Sequence, residues 1–208
     1  MIASNAHSCL VRYIMKKLSL AIFFSLGIMT SASHAQMQYA VTGGLNFAYF
    51  NFTPPITDAI SSLGYMIGVR GSLGSNLFFE PAIEFVSYGS TITTLDDATS
   101  HQMRSNYIRV PLQAGVKLFD DFPVNIEARA GIGESFLVGY TDHVAAGPGP
   151  AFTKSDINAM RTTAIIGGGI RVFFLKLDLE YEWGLTDFFK NKGGADFRAF
   201  YIILGGNF

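Results

Sequence analysis

The residues with chemical potential are few. Glu180 and Glu182 stand two apart in "LEYEWG", a spacing that puts two carboxylates on one face of a strand, where they could do general acid–base work. His101 and His143 each follow a polar partner, in Ser100-His101 and Asp142-His143. From such pieces the nucleophile and base of a lipid-modifying or proteolytic enzyme could be built. The run Gly131-Ile-Gly133-Glu134-Ser135-Phe136 is a partial GxGxxG with Phe in the last glycine's place, and Gly167-Gly168-Gly169 lacks the Lys-Ser/Thr of a phosphate loop. The two histidines fall in different expected loops and have no ligand-spaced partner, so neither a metal nor a cofactor is implied. Each piece also has a plain reading: polar loop residues, salt-bridging carboxylates, a strand of small residues.

Which reading holds depends on the elements that carry these residues. "YIRVPLQAGVKL", Tyr107 to Leu118, alternates strictly: even positions are apolar, and odd positions are Tyr107, Arg109, Pro111, Gln113, Gly115 and Lys117. Period two is the signature of a strand with one oily and one polar face. Charged residues make up only 15% of the chain, against roughly 25% in ordinary globular domains, and the mean hydropathy is +0.29. After the N-terminal leader no run of ~18 apolar residues is long enough for a membrane helix. A net charge of −1 without a basic run argues against nucleic acid as a partner.

Met15-Lys16-Lys17, the short apolar stretch Leu18 to Met29, and Ser33-His34-Ala35 have the order of a secretory signal peptide. The expectation is a leader over 1–35, with translation starting at Met15, cleavage after Ala35, and export by the general secretory route. The single cysteine, Cys9, falls in this segment, so the exported chain has no thiol chemistry.

The remaining segment, 36–208, reads as eight strands at about 39–50, 64–73, 77–88, 105–118, 124–139, 160–174, 175–187 and 197–208. Long connections at 51–63, 89–104, 140–159 and 188–196 alternate with short turns. That pattern predicts an all-β fold: an eight-stranded, antiparallel, transmembrane up-and-down barrel in the outer membrane of a Gram-negative cell. A soluble barrel with its charges outside has the same periodicity. Two features favour the membrane. Aromatics on the oily faces gather at strand ends: Tyr39, Phe79, Phe174 and Phe208 toward the turns, and Phe47, Tyr49, Tyr65, Phe85, Phe136 and Trp183 toward the loops. A bilayer selects such girdles. The polar faces also carry small residues, which make room for large charges in a lumen.

Strand parity then assigns to the lumen the bases Arg70, Arg109, Lys117, Arg129, Arg161, Arg171, Lys176 and Arg198, and the acids Glu80, Glu84, Glu127, Asp178, Glu180 and Glu182. An unpaired charge in a dry interior costs several kcal/mol, so a connected network that fills the lumen is expected. Glu134 has lipid-facing parity and is expected above the hydrocarbon or after a bulge at Gly131–Gly133. Pro81 and Pro111 are expected to mark bulges, because a closed sheet pairs each strand on both sides.

"NYIRVPLQAGVKLF", "LEYEWGLTDFF" and "FYIILGGNF" resemble the corresponding strands of the PorT-like family of small outer-membrane barrels. The resemblance implies an eight-stranded outer-membrane barrel. It also implies a terminal aromatic, Phe208, read by the barrel-assembly machinery, although Gly206 stands where the pattern has another apolar residue. Three functions follow as expectations. The first is a non-enzymatic surface barrel embedded in outer-membrane lipid, acting through its loops in adhesion, envelope integrity or binding of an extracellular or envelope partner. The second is a lipid-modifying enzyme using the loop histidines. The third is a small pore, which the strand count disfavours.

Overall fold

The computed structural model describes residues 37–51, 56–94, 100–144, 157–187 and 196–208; the expected leader lies outside them. Eight strands follow one another: β1 (Met37–Asn51), β2 (Ile56–Gly74), β3 (Leu77–Thr94), β4 (Ser100–Asp121), β5 (Val124–Val144), β6 (Met160–Val172), β7 (Leu175–Gly184) and β8 (Asp196–Asn207). Each pairs antiparallel with the next, and β8 returns to β1, so the sheet closes into a barrel.

The outer wall shows why the sequence takes this form. Across β1, β8 and β7 the register aligns Tyr49, Arg198 and Trp183, then Phe47, Phe200 and Tyr181, then Leu45, Ile202 and Leu179. Leu204 and Leu177 follow. Phe208 closes the series beside Tyr39, each backbone N–H donating to the other's carbonyl at 2.8 and 3.2 Å. At ~3.4 Å per residue and a tilt of ~40°, the path from Arg198 to Phe208 rises roughly 25 Å, the height of a barrel's apolar band. Aromatic ends and an aliphatic middle share one outward face, while Thr42, Asn46, Tyr201 and Ile203 are buried on the other.

On the loop side β2 to β5 outrun the expected strands, β6 starts at Met160 as expected, and β7 stops at Gly184, short of the expected 187. Parts of the loops expected at 51–63, 89–104 and 140–159 are strand, and β2 to β5 carry most of the excess. β1–β2 pairing ends at Phe47↔Leu63, whereas β2 runs on to Ile56 against β3. β5–β6 pairing ends at Phe136↔Met160, whereas β5 runs on to Val144 against β4. A four-stranded sheet therefore projects beyond the rest of the barrel by roughly 20 Å of strand at ~3.3 Å per residue. In the opposite direction, β6 stops at Val172 and β7 starts at Leu175, leaving Phe173 and Phe174 as the turn. Phe173 has φ 56° there.

The proline expectation is corrected. Across Pro81 the register with β2 and with β4 is unshifted, although pairs are missing on both sides, and Pro111 stays in register with Gly133. Loss of a donor removes rungs here without inserting a residue. The shifts lie elsewhere, between Ile56 and Asp58, between Ser62 and Tyr65, between Asn106 and Tyr107, and between Lys117 and Phe119. No shift occurs at Gly131–Gly133 either. Glu134 faces outward from a regular ladder, half-buried, and accepts a hydrogen bond from Thr162 Oγ1 at 2.8 Å.

Candidate functional site

The lumen holds the densest chemistry. Strict alternation in β7 turns Lys176, Asp178, Glu180 and Glu182 inward, and all four are buried. The facing strand β6 gives them space: Gly167 lies opposite Glu180 and Gly169 opposite Asp178. A Cβ at Gly169 would collide with the Asp178 carboxylate, and one at Gly167 would sit 2.9 Å from Glu180 Cγ.

Around these groups the charges interlock. Glu84 is shared by two arginines: its Oε1 accepts from Arg70 Nε at 3.0 Å and Nη2 at 2.7 Å, and its Oε2 lies 2.8 Å from Arg109 Nε. Glu180 is the hub. Its Oε1 meets Arg70 Nη1 at 2.6 Å, Gln113 Nε2 at 3.1 Å and Arg129 Nε at 3.3 Å, while its Oε2 meets Arg109 Nη2 at 2.8 Å. Glu182 Oε2 takes Arg109 Nη1 at 3.0 Å. Nearer the turns, Arg129 holds Glu127 at 2.7 Å and Asp178 at 2.9 Å. Lys176 joins Glu80, at 2.9 Å, to Glu127. Arg171 closes this end on Glu127 at 3.2 Å and on Gln38 Oε1 at 2.6 Å. Arginine suits this work because its planar fork can satisfy several carboxylate oxygens at once.

Toward the loops the lumen changes character. Tyr88, Tyr107, Phe197, Met103 and Ile157 form a buried apolar cluster with Tyr201. The Arg161 guanidinium lies 3.9 Å from the centroid of Phe197, 4.6 Å from Tyr107 and 5.2 Å from Tyr88, within cation–π range of each. Tyr201 joins the two levels. Its ring carries Arg109 at 4.4 Å, and its hydroxyl bonds Glu182 and lies 2.6 Å from that of Tyr88.

Among the described residues, then, Arg70, Arg109, Arg129, Arg171 and Lys176 meet Glu80, Glu84, Glu127, Asp178, Glu180 and Glu182 in one connected set, and Arg161 sits above it. Two expected members stand apart. Lys117 pairs with Asp120 at 3.1 Å beside the β4–β5 turn. Arg198 is corrected outright: it is exposed on the outer wall, and Phe197 points inward. Alternation in β8 gives residue 198 the same face as Phe208, so an inward Arg198 was incompatible with an outward Phe208. The inward aromatics Tyr88, Tyr107, Phe197 and Tyr201 join the charges in the lumen, where the alternation of their strands places them.

Of the girdle residues, Tyr39, Tyr49, Tyr65, Phe136, Phe174, Trp183 and Phe208 are exposed, and Phe47, Phe79 and Phe85 are half-buried on the same outward parity. His101 and His143 lie on strands β4 and β5, not in loops, opposite Val144 and Gln102 respectively. Among the described residues no group of three or more His, Cys, Asp or Glu side chains is placed to hold a metal.

Comparison with known proteins places this geometry. The outer membrane protein beta-barrel domain family matches residues 15–190, and the chain belongs to that family. It is an outer-membrane protein of a Gram-negative cell. No curated protein sequence matches it. Among solved structures it is similar to the attachment invasion locus protein Ail of Yersinia pestis, solved with the heparin analogue sucrose octasulfate, at 10% identity and TM-score 0.46, over 83% of this chain and 99% of that one. It is also similar to Neisserial surface protein A, at 12% identity and TM-score 0.44, over 82% and 97%. The N-terminal barrel of Pseudomonas aeruginosa OprF matches at 14% identity and TM-score 0.36, over 83% and 100%.

Proposed function

We propose that this member of the family is a non-enzymatic surface barrel whose lumen is closed by its own side chains and whose loop end binds an extracellular or envelope protein partner. The projecting sheet carries the reading. Pairing of β1 with β2 stops at Phe47↔Leu63 and that of β5 with β6 at Phe136↔Met160, so among the described residues the backbone at 56–61 of β2 and 141–144 of β5 runs on beyond the ladders of β1 and β6. An edge of that kind recognises another chain by accepting it as an added strand, with backbone hydrogen bonds supplying affinity.

The closed lumen is supported by room and by filling. Eight strands leave an interior only as wide as side chains, and the charged and aromatic groups above occupy it. Assembly belongs to the same proposal: a leader over 1–35 removed after Ala35, export by the general secretory route, and insertion by the barrel-assembly machinery reading Phe208, which is 83% exposed at the end of β8. Deleting Phe208 should lower the yield of folded barrel at unchanged synthesis. "NYIRVPLQAGVKLF" and "LEYEWGLTDFF" favour the PorT-like branch.

The test is site-specific photo-crosslinking on living cells, with the probe at residue 58 of the β2 edge or residue 142 of the β5 edge and a control at residue 121 by the turns. A discrete protein adduct from the edge alone is expected. Folded barrel on the cell surface with no adduct from either edge would refute the partner reading. Lipid analysis of cells carrying His101→Ala and His143→Ala separates the enzymatic alternative, which requires a histidine-dependent change in lipid.

A further inference from the structure

Several charges stand on the outer wall among the described residues, Glu134, Arg104 and Arg198 among them, and Arg198 is the one set between two girdle aromatics across the ladder. Arg198 is exposed, and on its hydrogen-bonded neighbours it has Tyr49 on one side and Trp183 on the other, both also exposed. The next residues inward on the same faces are Phe47, Phe200 and Tyr181, followed by aliphatic side chains. Arg198 therefore stands at the loop-side rim of the apolar band, where an arginine on the lipid face costs little, whereas the same group at the midplane costs a great deal. Unlike Arg70, Arg109 and Arg129, it forms no ion pair or hydrogen bond with a described residue. Asp196 is the nearest acid on its strand face, exposed and further from the bilayer, and does not pair with it.

We propose that Arg198, between Tyr49 and Trp183, binds the anionic phosphate of a lipid headgroup in the outer leaflet. The two rings fix the depth, since Tyr and Trp settle at the headgroup level. The guanidinium supplies a planar fork that matches two phosphate oxygens, and its aliphatic stem can lie along the wall while the head reaches the aqueous edge. The acyl chain of the same lipid would run down the face of Phe200 and Ile202. The site is independent of the projecting sheet and of whatever binds there.

The protein carries its own reporter, because Trp183 is the single tryptophan of the chain. Refolded barrel is placed in phosphatidylcholine vesicles containing phosphatidylglycerol, with bromine on the chains of one lipid or of the other, and quenching of Trp183 is compared. Only protein with the heat-modifiable migration of a folded barrel is scored. The expected result is a preference for phosphatidylglycerol of about 5-fold, the factor one arginine contributes at an anionic surface. Arg198→Gln should abolish the preference, Arg198→Lys should keep part of it, and Arg104→Gln, at the other outward arginine, should leave it unchanged. Equal quenching by both lipids in the wild type would overturn the proposal, with no variant needed. So would a preference that survives Arg198→Gln, or one that millimolar inorganic phosphate removes, which would assign the site to a soluble anion.

Discussion

Toward the turns the lumen is crossed by guanidinium and carboxylate groups; toward the loops it is crossed by rings. The two levels solve the same problem, filling a narrow tube, at different energetic risk. In the charged level each group has been taken out of water, and only several close partners per group offset that cost. Glu180 has four such partners between 2.6 and 3.3 Å. In the ring level no single contact is indispensable: Tyr88 packs against Tyr107 at 5.7 Å and against Phe197 at 5.1 Å, and ring pairs contribute about 0.5–1.5 kcal/mol each beyond area burial. One level is specific and brittle, and the other is graded.

The largest expected effect tests the brittle side. Glu180→Ala leaves Arg70, Arg109 and Arg129 short of a shared anion and should destabilise the barrel by about 3–5 kcal/mol, the usual cost of stripping one partner from a buried charge set. The measurement is urea unfolding in lipid vesicles, followed by Trp183 fluorescence. A loss under 1 kcal/mol would mean that the remaining carboxylates compensate, and the contrast between the levels would dissolve. Glu180→Gln, which keeps the shape and loses the charge, should fall between the wild type and Glu180→Ala.

Conductance separates the levels in another way. Wild-type barrel in a planar bilayer should show no stable, charge-selective steps. Removing rings, with Tyr107→Ala and Phe197→Ala together, should widen the loop-side mouth and still give no steps if the charged level below closes the tube as proposed. Stable steps from the wild type would sink the closed-lumen proposal. Steps from the double variant alone would move the barrier from charges to rings. A milder probe of the graded side is Tyr88→Phe, which removes the hydroxyl shared with Tyr201 and Glu182. It should cost about 0.5–1.5 kcal/mol, the net worth of one hydrogen bond, since the Tyr201–Glu182 bond persists.

Much of this contrast is legible in the residues themselves. β7 reads Leu-Lys-Leu-Asp-Leu-Glu-Tyr-Glu-Trp, and an alternation that strict assigns every side chain to one face. The aromatic ends of β1 and β8 were legible for the same reason. Arg198 has the parity of Phe208, which puts it on the outer wall, and at the rim of a bilayer a charge faces lipid at little cost. The projecting parts of β2 to β5 carry the sequence character of loops for a physical reason: beyond the membrane no apolar face is selected, so a strand such as Ser90 to Thr94 loses the alternation that marks it. What β-branched Thr91-Ile-Thr-Thr94 retains is propensity alone. Partner choice inside the lumen was not legible either. Parity gives a list of inward charges, but which carboxylate becomes the hub depends on how β2, β4 and β5 bring three arginines to β7.

The smallest effect lies outside the bilayer, where a charged contact should behave in the opposite manner to the lumen. Asp120, exposed beside the β4–β5 turn, accepts a hydrogen bond from Asn125 Nδ2 at 2.6 Å and one from Lys117 Nζ at 3.1 Å. The Asn125 bond first, and then the Lys117 bond, hold its carboxyl below the ordinary value of 3.8. A carboxyl with a depressed folded pKa contributes stability that is fully present above its unfolded pKa and disappears as pH falls through the folded one. The contribution should therefore be constant from neutral pH down to about pH 5, decline below about pH 4, and vanish in stronger acid. Because the group is exposed, Asp120→Ala should cost only about 0.2–1 kcal/mol at pH 7. Raising salt to ~1 M, where charges are screened within ~3 Å, should cut the Lys117 share of that cost. The cost of Glu180→Ala should not move with salt, since in the closed lumen proposed above no ion reaches its middle. Unfolding of both variants at low and high salt reads the two levels against each other. If the Glu180→Ala cost fell with salt as the Asp120→Ala cost does, water and ions would have to reach Glu180, and the barrel's interior would be open where its side chains are most tightly paired.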